Sequence, residues 1–235
     1  MKSLKMSASL LALLLSVTVV LLGCDGDKGT GGSGGGGDGG GDGGGGGSFS
    51  YGGQTYKTVN IGSLTWMAQN LNVETADSWC YDDRPDNCTR YGRLYTWESA
   101  KTACQLVGWT LPSRADWDNL CDAVGGTDMG DESVRYWTDT SQKLKSENGW
   151  EGNTYGGASG NGTDDFRFSA LPGGFRFVSG SFSSIGTSGH WWTATERASD
   201  MAYYRSMASV NYVVQESFGD ADKRIGRSVR CVQDN

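Results

Sequence analysis

The apolar positions of this chain fall into three regimes. A basic start, Met1 to Lys5, leads into an apolar run from Leu10 to Leu22. Residues 25 to 48 are then glycine broken only by Asp, Lys, Thr and Ser. From Phe49 onward, apolar and aromatic residues return at short regular spacings, which predicts one folded domain over residues 49–235. No fixed-period repeat runs through that region, so a solenoid or propeller is not expected.

Within the domain the spacing predicts two helices. Gly92 to Val107 places Leu94, Trp97, Ala100 and Cys104 near one face, with Gly108 as a stop. The second helix opens at Pro112-Ser113, where Ser113 and Asp116 form a capping-box-like pair, and it ends at Gly125-Gly126. Its apolar face is Trp117, Leu120, Cys121 and Val124, at i, i+3, i+4 and i+7. Short strands are predicted at Tyr56–Ile61, Leu64–Met67, Phe166–Ala170, Phe175–Val178, Trp191–Thr195, Ala202–Met207 and Ser228–Val232. A polar stretch rich in Gly and Asn, Gly149 to Asp165, predicts a long loop. Two helices in the N-terminal half, packed on short and mostly antiparallel strands with long loops, make an α+β domain.

The first regime changes the biological setting. Leu21-Leu22-Gly23-Cys24 reads as a lipoprotein cleavage site, with 1–23 as the signal and Cys24 as the acylated residue. The apolar run is too short to span comfortably, since a spanning helix needs about 20 residues. The expectation is export and lipid anchoring to the cell envelope, at the outer membrane or cell surface. Residues 24–48 then form a flexible tether, because nothing there is worth burying, with a reach of about 25–30 Å. A calcium-binding glycine-aspartate repeat would need periodic apolar residues, and none occurs.

The chain has 20 Lys+Arg against 27 Asp+Glu, a net charge of −7, and loses Lys2 and Lys5 with the signal. Such a surface repels phosphate backbones, so nucleic-acid binding is disfavoured on electrostatic grounds. Neutral polymers and cations remain compatible.

Five cysteines remain beyond Cys24: Cys80, Cys88, Cys104, Cys121 and Cys231. Export favours disulfides, and an odd count leaves a free thiol or an intermolecular link. Cys80 and Cys88 bracket a turn-rich loop that a local bridge would close. Cys104 with Cys231 is the preferred second pair, leaving Cys121, although spacing alone leaves several pairings open. Cys121 lies on the apolar helix face, which suits a buried, inert thiol. Zinc is disfavoured, because no C-x-x-C occurs and His190 is the sole histidine.

Several blocks occur in a familiar order. They are Tyr56-Lys57-Thr58-Val59, Trp66-Met67-Ala68-Gln69-Asn70-Leu71 and Tyr91-Gly92-Arg93-Leu94-Tyr95-Thr96-Trp97. Gly108-Trp109-Thr110-Leu111-Pro112-Ser113 and Trp117 follow, then Phe168-Ser169-Ala170-Leu171-Pro172-Gly173-Gly174. The last are Trp191-Trp192-Thr193-Ala194-Thr195-Glu196, Tyr203-Tyr204-Arg205 and Ser228-Val229-Arg230-Cys231-Val232. Over residues 55 to 233 the chain resembles the Fibrobacter succinogenes major paralogous domain, a family of exported bacterial proteins. That family looks like a branch of the C-type-lectin-like fold, nearest the formylglycine-generating-enzyme type. In that fold the first helix is commonly bridged to the last strand, so the resemblance implies Cys104–Cys231. The calcium-lectin tripeptides Glu-Pro-Asn, Gln-Pro-Asp and Trp-Asn-Asp are absent, and no copper-binding cysteine pair stands at a matching position. Fold alone licenses no activity.

Candidate chemistry centres on Trp191-Trp192 with Glu196, Tyr203, Tyr204 and Arg205. On a strand one of two adjacent Trp residues faces the core and the other faces out, so an exposed ring would give a sugar a flat apolar surface. Glu196 and Arg205 would supply hydrogen bonds; the competing reading makes both Trp residues core. Asp164 and Asp165 are candidate calcium ligands, beside an acidic group at Asp82, Asp83 and Asp86, although Asx turns explain such residues equally well. With 27 acidic residues, a carboxylate pair at glycosidase spacing is uninformative. The expected function is a lipid-anchored binding or adhesion module, for polysaccharide first and another surface protein second. An enzyme of the formylglycine-generating branch and a structural scaffold are the alternatives.

Overall fold

The computed structural model describes residues 45–131, 135–152, 159–217, 219 and 221–235. The expected signal sequence, the expected acylation site at Cys24 and the expected tether up to residue 44 lie outside the described residues.

Strands β1 (Ser48–Tyr51) and β2 (Gln54–Ile61) form a hairpin across Gly52-Gly53. Both glycines have positive φ, +58° and +80°, which a tight two-residue hairpin turn demands. Pairing begins slightly earlier, since Gly47 N–H donates to Thr58 Oγ1 at 3.1 Å and Thr58 N–H to the Gly47 carbonyl at 2.9 Å. Strand β3 (Leu64–Met67) follows, then β4 (Ser78–Trp79), a 3-10 turn at Tyr81–Asp83 and helix α1 (Pro85–Tyr91). Next come β5 (Leu94–Tyr95), α2 (Trp97–Leu106), α3 (Arg114–Ala123), β6 (Thr127–Asp128), β7 (Tyr136–Thr138) and α4 (Ser141–Leu144). The C-terminal part is β8 (Gly173–Arg176), β9 (Phe182–Ile185), β10 (Ser188–Ala198), β11 (Met201–Ala208), β12 (Val214–Ser217) and β13 (Val232–Asp234).

The result is an α+β domain with three sheets among the described residues. One has the order β1-β2-β3-β13, one β6-β7-β12-β11-β10-β8-β9, and one is the β4-β5 pair. Neighbours are antiparallel throughout except β8 beside β10. The capping box is present: Ser113 N–H donates to Asp116 Oδ2 at 2.7 Å, and Asp116 N–H to Ser113 Oγ at 3.1 Å. The first long helix starts later than its spacing predicts. Thr96 caps α2, while Leu94 and Tyr95 belong to β5, both buried, with the Tyr95 hydroxyl donating to the Val73 carbonyl at 2.7 Å.

Strand β10 is interior to its sheet and carries a core cluster on each face. Trp192 packs with Tyr95, Trp97, Ala100, Cys104 and Tyr204, so α2 covers that side. Trp191 packs with Trp66, Trp117, Cys121, Trp150 and Phe168, so α3 covers the other. Disulfides join Cys80 to Cys88 and Cys104 to Cys231; the second ties α2 to the residue before β13. Cys121 is free and buried.

Two predicted strands are corrected. Phe166–Ala170 is a loop, with Arg167 and Ser169 at φ +54° and +53°. Its carbonyls serve side chains instead of a ladder: the buried Arg230 guanidinium donates to Phe168 and Ser169, and Trp150 Nε1 to Ala170 at 2.9 Å. Ser228–Cys231 is extended but bonds to scattered partners, Leu71 and Met67 N–H among them, so only Val232–Asp234 is a strand.

Candidate functional site

The β10–β11 hairpin does not present its tryptophans to solvent. Trp191 and Trp192 alternate across the strand as expected, yet both are fully buried because both faces of the sheet are covered. Trp191 Nε1 donates to Asn70 Oδ1 at 2.9 Å, and Trp192 Nε1 to the Tyr95 carbonyl at 2.8 Å. Neither ring can accept a sugar. Tyr204 is buried as well, its hydroxyl donating to the Gly219 carbonyl at 2.6 Å. Glu196 is exposed and ion-paired with Lys223 at 2.6 Å, away from the others.

His190 lies between the Phe175 and Tyr204 rings, at centroid distances of 5.0 and 5.8 Å. Burial, and then the Arg227 charge, push its pKa down to about 3 from the ordinary 6.5. The folded state therefore binds fewer protons than the unfolded chain between those values. Stability from this neutral imidazole is complete above pH 6.5 and is lost as pH falls toward 3. Urea unfolding between pH 6.5 and 4 should show a decline containing about 1.4 kcal/mol per pH unit from His190, absent in His190→Phe. An identical pH slope in the variant would show that the imidazole is not the source.

Tyr203 and Arg205 lead to the more open chemistry. Tyr203 is half-buried, and the Arg114 guanidinium lies 4.7 Å from its ring centroid. Beneath them is a buried ion network. Arg114 grips Glu216 through Nε at 2.6 Å and a second amine at 2.7 Å. Arg205, fully buried, pairs with both Glu216 and Asp118. Arg135 pairs with Asp118 at 2.8 Å and Asp128 at 2.7 Å. Burial alone would raise the Glu216 carboxyl, but hydrogen bonds from Arg114 and charge and hydrogen bonds from Arg205 outweigh it and hold the pKa low. The network anchors an open cleft of about 550 Å³ lined by Arg114, Gly130, Asp131, Arg135 and Tyr203.

Its composition decides what it can accommodate. Three guanidiniums stand against Asp118, Asp128, Asp131 and Glu216, so the cleft has little charge preference. An aromatic ring, fixed N–H donors and carboxylate acceptors together suit a ligand rich in hydroxyls.

Sequence reasoning reached Tyr203 and missed Arg114, Arg135, Asp118 and Glu216. Arg114 and Asp118 carried a signal, since their i,i+4 spacing places them together beside the apolar face of α3. Glu216 is 102 residues from Arg114, and nothing local announces that pairing.

Asp164 and Asp165 do not converge. Asp164 Oδ1 accepts from Ser169 N–H at 2.6 Å and Oδ2 from the Ser169 hydroxyl at 2.5 Å, while Asp165 is exposed. Among the described residues, no group of three or more His, Cys, Asp or Glu is placed to hold a metal. Four of the five described cysteines are bridged, and burial raises the Cys121 thiol far above its usual range.

A family model described as Fibrobacter succinogenes major domain matches residues 59–233. No curated protein and no solved structure matches the chain.

Proposed function

The chain belongs to the Fibrobacter succinogenes major domain family, and on that premise we propose that it is an exported, lipid-anchored module that binds glycan in the Tyr203 cleft. Supporting export are the basic start, the apolar run and the Leu21-Leu22-Gly23-Cys24 site. The two disulfides fit a compartment where thiols oxidise. A C-type-lectin-like fold is the architecture proposed, supported by the Leu111-Pro112-Ser113 helix start and by a bridge from α2 to the end of the chain.

The observation that carries the glycan reading is the cleft itself. Half-buried Tyr203 lines it, and two guanidiniums are held in place by carboxylates, Arg114 by the buried Glu216 and Arg135 by Asp118 and Asp128, rather than left to wander. Donors fixed before the ligand arrives lose little entropy on binding. Near-neutral local charge matches an uncharged polysaccharide.

The test is a glycan array and polysaccharide pull-down, each run with and without calcium. Tyr203→Ala should weaken capture about 10- to 100-fold, an effect of about 1.4–2.8 kcal/mol, while the circular dichroism spectrum stays unchanged. Capture of no glycan under either condition, or capture indifferent to Tyr203, would remove the proposal.

A further inference from the structure

A second cleft, of about 590 Å³, lies between the β1–β2 hairpin and the loop that contains Asp164. Lys57 of β2 and Arg167 of the loop both line it, with Gly46, Gly47, Asp164 and Ser169. Elsewhere the cations of this acidic chain are mostly engaged. Arg93 pairs with Glu74, Lys101 with Glu98 and Lys223 with Glu196, while Arg230 is saturated by carbonyls and Asn70. Lys57 and Arg167 are exposed, and their side chains have no carboxylate or carbonyl partner among the described residues.

The lining holds a single carboxylate, Asp164, and both of its oxygens already accept from Ser169. That bond set fixes the loop. Asp164, Arg167 and Ser169 all sit at positive φ, +50°, +54° and +53°. Such non-glycine conformations are sparsely populated and persist only where surroundings impose them. Here Arg230 imposes them from below, through the Phe168 and Ser169 carbonyls, so Arg167 is displayed from a held backbone. On the facing wall, a Cβ at Gly46 would meet the Thr58 carbonyl at 2.8 Å, so glycine there keeps the wall thin.

We propose that this cleft binds an oxyanion, a phosphate or sulfate group, with Lys57 as a point charge and Arg167 as the forked donor. An ammonium and a guanidinium facing one concavity are the pair of donors that tetrahedral oxyanions take. The group is supplied either free or as a lipid headgroup. The inference is independent of the Tyr203 cleft, which shares no lining residue with it.

The experiment uses the mature chain, residues 24–235 with Cys24→Ser, so that neither the signal nor an acyl group mediates membrane contact. Inorganic phosphate is titrated at low ionic strength by calorimetry. In parallel, sedimentation is measured with phosphatidylglycerol vesicles and with phosphatidylcholine vesicles. Saturable phosphate binding that falls at least tenfold in Lys57→Gln and in Arg167→Asn supports a free ligand; asparagine is chosen because it tolerates positive φ. Retention on the anionic vesicles alone, lost in the same two variants, supports the headgroup. Tyr203→Ala should leave both readouts unchanged. No binding of either probe, or binding indifferent to both substitutions, overturns the proposal.

Discussion

Glu216→Ala is expected to destabilise the domain by about 3–5 kcal/mol, the range seen when one member of a buried ion pair is removed. Glu216 has no solvent-exposed side chain, and its loss leaves the equally buried Arg205 guanidinium with Asp118 as its one carboxylate partner beside the Arg114 carbonyl. The cost comes from an uncompensated charge and not from a missing attraction. Removing both charges should therefore hurt less than removing one. Arg205→Met with Glu216→Met is expected to unfold at a higher denaturant concentration than Glu216→Ala, with Arg114 free to turn toward water because 30% of its side chain is already exposed. Chemical denaturation of the three proteins checks this, and a double variant weaker than the single would refute it.

Loss of the Cys104–Cys231 bridge ranks beside it. The bridge spans 127 residues, and closing a loop of that size is worth about 4.9 kcal/mol on the chain-entropy model. The Cys80–Cys88 bridge spans 8 residues, for which the same relation gives about 2.5 kcal/mol. Paired alanine substitutions should thus separate the two. Cys104→Ala/Cys231→Ala should lower the melting temperature by about 10–20 °C, and Cys80→Ala/Cys88→Ala by about half as much. Equal losses would mean that packing around the bridges, not loop closure, sets their worth.

The parts legible in the sequence were those fixed by neighbours along the chain. Ser113, Asp116 and the Trp117–Val124 face lie within three turns, so α3 could be read from its own residues. Leu64–Met67 and the strand segments Trp191–Thr195 and Ala202–Met207 were equally local. Alternation also assigned Trp191 and Trp192 to opposite faces correctly. It could not say that α3 and α2 would cover those faces, because that depends on residues some 70 to 100 positions away. Phe166–Ala170 misled for a related reason. Phe168 and Ala170 are buried two apart as in a strand, yet the backbone between them is left-handed and its carbonyls answer to Arg230 and Trp150. Cys104–Cys231 was already the preferred second pair, but spacing admitted several choices, and the family resemblance supported this one.

The candidate site followed the same division. Tyr203 was named because it sits in an aromatic run, whereas its working neighbours Arg114, Arg135 and Glu216 come from three separate elements. Lys57 and Arg167 were invisible as a pair, being 110 positions apart and unremarkable singly.

One feature of the hairpin bears on mechanics. A pull arriving from upstream of Gly45 enters the fold at Gly47 and Ser48, the end of β1 farthest from the Gly52-Gly53 turn. Ser48 pairs with Lys57 and Tyr51 with Gln54, so tension opens the hairpin one rung at a time instead of shearing all rungs together. β1 is an edge strand, so it can peel away while the bridge from α2 to Cys231 keeps the core closed. The domain would thereby yield about 13 Å of slack, at the expense of the stack of Phe49 on Trp109 at 4.8 Å.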